Sequence, residues 1–231
     1  MATITTRIES ATGDQCVVMR GIGWKGYTTM LRLRGERPRP RMVYLDGDLY
    51  LMSPAFPHER MAFRLGQFVM VIVEEFRIPC VPSRSTTFRR RKKEAGVEPD
   101  QSFYLANEAR IRGKDKISLR IDPPPDLVVE AVHTHEADAA VRAHKRFRVP
   151  EIWVADENGV KILVRQANGR YAVVDTSAAF PFLKAAEIAD WILRPQTVSE
   201  TEWQLEVRQW VRDVLAPRRE AGPIGGEPRC P

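Results

Sequence analysis

PPPDLVVEAV, residues 123–132, decides the fold. Three prolines hold the chain extended and end whatever precedes them. Asp126 to Val132 then forms a near-continuous apolar, β-branched run, the pattern of a central strand covered on both faces. Glu130 interrupts it. A carboxylate inside such a strand is costly to bury unless it is paired or bound to a cation. This one strand therefore sets both the fold class and the first candidate residue.

Outward toward the C-terminus, residues 136–147 read as a helix. Glu151 to Ala155 and Val160 to Val164 read as strands joined through Asp156-Glu157-Asn158-Gly159, and Tyr171 to Val174 as another. Ala185 to Ile192 is a short helix. Ser199 and Glu202 form a capping box at the start of the last helix, with Val198 and Trp203 spaced as a hydrophobic staple. Trp203, Val207, Trp210, Val211 and Val214 make an apolar stripe on it, suited to cover the domain body or a second copy of the chain.

Outward toward the N-terminus, Val97 to Leu105 reads as one strand of period two, with Glu98, Asp100, Ser102 and Tyr104 on one face. Before it come a short strand, Thr86 to Phe88, and five consecutive cations, Arg89, Arg90, Arg91, Lys92 and Lys93. His58 to Phe76 is a long amphipathic helix. Asp46-Gly47 joins Met42–Leu45 to Leu49–Met52 in a tight hairpin. The helical spacing of Trp24, Tyr27, Met30 and Leu31 marks a short helix. The order of hairpin, helix, strands, helix, strands and helix makes this an α/β (α+β) chain, a mixed sheet with helices on its faces.

Composition agrees. The chain has 231 residues, 43% hydrophobic and 29% charged, as expected of one globular domain. Residues 1–14 and 216–231 read as a flexible and a disordered tail, leaving a single domain over 15–215. The longest apolar run, Val69 to Val73, is too short to span a membrane, and no signal peptide is visible. Cys16, Cys80 and Cys230 are scattered, which fits neither a disulfide framework nor a zinc site and points to the cytoplasm. The net charge of +6 permits a polyanionic partner.

If the strands of Asp100 and Glu130 are neighbours, the two carboxylates face one cleft about 5 Å apart. That spacing suits Mg²⁺ or Mn²⁺, which can activate water and neutralise phosphoryl charge. The competing reading pairs Glu130 with an Arg or His of the next helix. Glu98, about 7 Å from Asp100, reaches only the outer shell of such an ion. Asp126 is about 13 Å from Glu130 and reads as a strand-start residue. His133 and His135, with Glu136 or Asp138, are an alternative ligand set, or else loop residues beside the site. The Arg89–Lys93 run is either a phosphate contact or a solvated turn.

GVEPDQSFYL (96–105), PPPDLVVEAV (123–132) and VPEIWVAD (149–156), in that order, resemble the Uma family of bacterial restriction-endonuclease-like domains. DGDLYLMSP (46–54) with His58 after it, STTFRR (85–90) and the Trp-containing terminal helix are similar too. The likeness runs from about residue 16 to 215. It implies the PD-(D/E)XK nuclease fold, a mixed β-sheet flanked by helices with an N-terminal hairpin and a C-terminal helix. It also implies a metal-dependent endonuclease that hydrolyses DNA, with Asp100 and Glu130 as metal ligands, the Ala131 carbonyl as a third and Glu98 behind them. The motif lysine is missing: Val132 stands at one family position and Ala140 at the other. Arg142 and Lys145 lie about 160° and 140° around the helix from Ala140 at roughly 100° per residue. His144 shares its face. Lys145 or His144 is then the substitute water-orienting group. The alternative is a catalytically degenerate module that binds nucleic acid or protein. No organic cofactor and no membrane is implied, and the apolar stripe of the terminal helix leaves a homodimer open.

Overall fold

The computed structural model describes residues 3–8, 13–132 and 137–221. The chain opens with β1 (Thr3–Ile8), paired antiparallel to β2 (Gln15–Arg20). Residues expected to form a loose tail therefore extend the first sheet. Next come α1 (Gly23–Arg34), β3 (Arg41–Leu45) and β4 (Asp48–Ser53). Asp46 and Gly47 both take positive φ, 52° and 91°, as the two central residues of a type I′ hairpin must.

Helix α2 (Phe56–Glu75) follows. Leu65, Phe68, Val69 and Ile72 on it are fully buried. At about 1.5–3 kcal/mol per such side chain, this face and not helix propensity holds α2 in place. Three short strands follow: β5 (Val81–Pro82), β6 (Phe88–Arg90) and β7 (Ala95–Val97), with a single 3₁₀ turn over Arg91–Lys93 between the last two. Then come β8 (Gln101–Tyr104), the one-turn helix α3 (Glu108–Ile111), β9 (Leu127–Ala131), α4 (Ala137–Phe147), β10 (Glu151–Asp156), β11 (Gly159–Arg165) and β12 (Tyr171–Val174). The last described elements are α5 (Ala185–Ile192) and α6 (Glu200–Trp210), which runs through a π segment (Val211–Leu215) into α7 (Ala216–Ala221).

Two six-stranded sheets result, in the orders β1-β2-β4-β3-β7-β6 and β12-β11-β10-β9-β8-β5. The second is mixed: β9 and β10 are parallel, joined by α4, and β8 is antiparallel to β9. As its sequence requires, β9 lies inside this sheet with all five residues buried. Helices α2, α5 and α6 cover one face, packing on Leu127, Val129 and Trp153. Helix α4 lies between the sheets, where Ala139, Ala140 and Ala143 meet Val43 and Val97 on one side and Val128 and Ile152 on the other. Small side chains let both sheets approach it. The chain is thus an α/β protein with sheets flanked by helices.

Three expectations change. The single strand over Val97–Leu105 is two strands in different sheets, because Pro99 cannot donate to a ladder and keeps Glu98 extended. The short strand over Thr86–Phe88 is displaced to Phe88–Arg90. The last helix continues beyond residue 215, to Ala221. Its stripe covers the chain's own body: Trp203, Val207, Val211 and Leu215 are buried against α2 and α5. Residues four apart drift around an α-helix, and the wider π turn brings Leu215 back onto the stripe. No helix among the described residues is long and apolar enough to cross a membrane.

Candidate metal and nuclease site

The break at Pro99 sends two neighbouring carboxylates to different tasks. Glu98 turns to the first sheet, where Arg34 grips it with two hydrogen bonds of 2.6 Å. Thr87 Oγ1 at 2.5 Å and the Met42 N–H at 2.9 Å also donate to it. With both oxygens taken, Glu98 is a clasp between α1 and the sheet, not a group behind a metal. Asp100 turns to the second sheet.

The β8–β9 register pairs Gln101 with Val129, so the next position sets Asp100 across from Glu130. Asp100 is buried and accepts the Ala131 N–H at 2.8 Å. Arg41, at the start of β3, forms an ion pair with its Oδ1 and holds Glu59 with its other nitrogen. His58 Nε2 lies 3.1 Å from both Asp100 oxygens, while Nδ1 lies 2.7 Å from Asp14. Asp14 also caps the Ala55 N–H before α2. Asp14, His58, Asp100 and Arg41 thus form one continuous chain of polar contacts.

Glu130 meets α4. His144 Nε2 lies 2.5 Å from Glu130 Oε1, so of the two readings open from sequence the pairing with a helix histidine is present. His144 is sealed from solvent and its Nδ1 has no partner among the described residues. A ring that no water reaches acts through Glu130: it holds the carboxylate's orientation and does not itself take a proton from water. Lys145 is one position on, about 100° around the helix, and its ammonium sits 5.5 Å over the Tyr171 ring. It is therefore no substitute for the missing lysine.

Glu130 Oε2 has no protein partner among the described residues. The sealed, unpartnered side-chain atoms there are Tyr27 Oη, Arg34 Nε and His144 Nδ1, so this oxygen faces accessible space. The Val132 N–H bonds Ala155 O in β10, which turns the N–H and C=O of Ala131 toward β8 and Asp100. Two carboxylates and this carbonyl are hard oxygen donors of the kind Mg²⁺ and Mn²⁺ prefer. The donor chemistry fits a hard divalent ion, with Arg41 already on one ligand. No three His, Cys, Asp or Glu side chains converge into a complete ligand set among the described residues, so water and substrate oxygens would fill the remaining positions.

Asp126 caps the loop after β8, bonding Leu105 N at 2.8 Å, Asn107 N at 2.9 Å and Asn107 Nδ2 at 2.6 Å. It is the strand-start residue its position implied. His133, His135 and Glu136 lie outside the described residues, and Asp138 is exposed. Of the five-cation run, Arg89, Arg90 and Arg91 line a cleft of 1270 Å³; Arg90 and Lys93 line a neighbouring one. Lys92 is exposed and lines neither. Sequence reading missed Asp14 and Arg41. Arg41 could have been suspected as the cation opening a strand beside the hairpin, whereas nothing local marks Asp14.

The Uma2 family model, described as a putative restriction endonuclease, matches residues 27–205. Among solved structures, a protein from Anabaena variabilis described as a putative nuclease belonging to DUF820 aligns at 12% identity. That alignment covers 78% of this chain and 96% of the other, with a TM-score of 0.48. A comparison with curated proteins finds no match.

Proposed function

The chain belongs to the Uma2 family, and from that membership and the carboxylate site we propose that it is a Mg²⁺- or Mn²⁺-dependent nuclease hydrolysing DNA phosphodiester bonds. One observation carries the reading: Asp100 stands across from Glu130, with an oxygen of Glu130 open and the Ala131 carbonyl turned to the same edge. Asp100, Glu130 and the Ala131 carbonyl would hold the ion, which supplies charge neutralisation and an acidified water. His144 fixes Glu130 from behind. His58, itself held by Asp14, fixes Asp100. Arg41 bridges Asp100 and Glu59, so it can keep its contact with Glu59 while yielding Asp100 to an ion. The Arg89–Arg91 segment supplies contacts to DNA phosphates, and the cytoplasm is the matching compartment.

A second reading has its own support. Arg41 already neutralises Asp100, and Val132 and Ala140 stand where the family pattern has lysine. A module that binds nucleic acid or protein without turnover would look the same.

The test titrates Mg²⁺ and Mn²⁺ by calorimetry into wild type, Asp100→Asn and Glu130→Gln, with plasmid cleavage assayed on the same samples. The nuclease reading expects saturable binding and cleavage in wild type, both lost in the variants, with cleavage falling at least 100-fold. Metal binding with no cleavage favours the module. No binding in wild type sinks the metal site.

A further inference from the structure

The positive charge of the chain is concentrated in one place. The 1270 Å³ cleft has three cationic walls. Helix α1 contributes Arg32 and Arg34. The segment over β5 and β6 contributes Arg84, Arg89, Arg90 and Arg91. The loop after α3 contributes Lys114, Lys116 and Arg120. Against these nine cations stand two carboxylates, Glu36 and Asp115, an excess of seven that is larger than the +6 of the whole chain.

Arg34 is held by Glu98, and Lys114 is paired with Asp122. None of the other seven cations of the cleft has a carboxylate partner among the described residues. Elsewhere on the chain arginines are commonly paired, as Arg208 and Arg212 are with Glu75. Like charges gathered unpaired in a concavity repel one another, and a bound polyanion relieves that repulsion.

The shape selects among polyanions. A membrane is flat and does not enter a cleft. A mononucleotide needs one pocket, but this cleft shares Arg90 and Leu119 with a second concavity of 290 Å³, where Lys93, Arg148 and Arg146, the last paired with Asp46, stand against the single carboxylate Asp122. The ligand that uses both is a chain. A flexible single strand can follow the path from one concavity into the other, whereas a duplex, stiff over about 150 base pairs, must be bent to do so. Trp24 on the lining offers a ring beside which a base can lie, as in many single-strand grooves. Arg34 and Thr87 on the lining both hold Glu98, while Asp100 and Glu130 lie outside it.

We infer that this cleft and its neighbour form a track for a single nucleic-acid strand, a binding site separate from the carboxylate pair. The inference deepens the nucleic-acid reading above and rests on it.

Fluorescence anisotropy with a labelled 20-nucleotide DNA, single-stranded or duplex, tests it on the full chain in EDTA, where no cleavage occurs. The cleft variant Arg89→Ala/Arg91→Ala/Lys116→Ala is compared with Arg142→Ala/Lys161→Ala/Arg170→Ala, which removes the same charge elsewhere. All six residues are exposed, and melting curves check that both variants fold. A single-strand phosphate contact contributes about −0.7 to the slope of log K against log salt. The cleft variant is expected to lose at least tenfold in affinity and about two units of slope, the control little. Equal losses in both variants, or tenfold tighter binding of duplex than of single strand, overturn the track. Binding through the cleft without any cleavage would sink the nuclease reading and leave the track standing. Cleavage and binding unchanged in the cleft variant would do the reverse.

Discussion

Gly96 lies in β7 between Tyr44 of β3 and Arg89 of β6. A Cβ added there would stand 2.2 Å from Tyr27 Oη and 2.5 Å from Cζ. Carbon atoms prefer about 3.5–4.0 Å, so the ring would have to retreat by roughly 1–1.5 Å. It has nowhere to go. Tyr27 is fully buried, stacked on Tyr44 at 4.9 Å between ring centroids and flanked edge-on by Trp24 at 5.4 Å. Overpacking of this kind costs about 1–3 kcal/mol, and alanine's smaller unfolded-state entropy returns only about 0.4–1 kcal/mol. Gly96→Ala is therefore expected to destabilise by about 1–2 kcal/mol, a melting shift of roughly 2–8 °C for a chain of this size. Tyr27→Phe removes a hydroxyl that has no partner among the described residues and is expected to be neutral or slightly stabilising. Gly96→Ala/Tyr27→Leu gives the new methyl room, so urea unfolding of the four-protein cycle should show coupling of about 1 kcal/mol or more. If Gly96→Ala melts within 1 °C of wild type, or the cycle is additive within about 0.5 kcal/mol, the close packing of α1 on the first sheet is refuted.

The Arg212 and Arg208 guanidiniums hold the Glu75 carboxyl below its usual range, clasping the terminal helix to α2. A lowered carboxylate pKa stabilises above the unfolded value of about 4.3, and that stability is lost as pH falls through the folded value. Melting of Glu75→Gln between pH 3 and 7 should accordingly fall less steeply in acid than wild type; parallel profiles would show the clasp to be idle. Ser199 Oγ accepts the Glu202 N–H at 3.2 Å as the cap of α6, and Ser199→Ala should lower stability by about 1 kcal/mol in urea unfolding. Ala140→Lys places a lysine one turn before His144, on the face that meets Glu130. It should raise plasmid cleavage at least tenfold at a stability cost of about 1–3 kcal/mol for overfilling. An unchanged cleavage rate in a folded protein would mean that the missing lysine is not what limits turnover.

What could be read from the chain beforehand follows from the range of the forces involved. The run LVVEA, the Asp46-Gly47 turn and the Ser199–Glu202 box are local: burial on two faces, positive φ and an orphan N–H each leave a mark within a few residues. Asp100 and Glu130 were legible for a related reason, since a carboxylate among apolar neighbours contradicts its surroundings. Their actual partners were not. Arg41 reaches Asp100 from 59 residues away, and Asp14 reaches His58 from 44, through contacts between two sheets that no periodicity encodes. The same holds for Glu98, whose period-two kinship with Asp100 ended at Pro99. The proline was in plain view, yet which sheet each side of the break would join depends on pairings with β3 and β9. The electropositive cleft shows the limit most clearly. Five adjacent cations mark a charge run, but Arg32, Lys116 and Arg120 join Arg89 to Arg91 only when α1 and the loop after α3 close on β6. A patch assembled from three distant segments is a property of the fold, and its excess charge becomes evidence of a ligand only once the folded walls leave it unpaired.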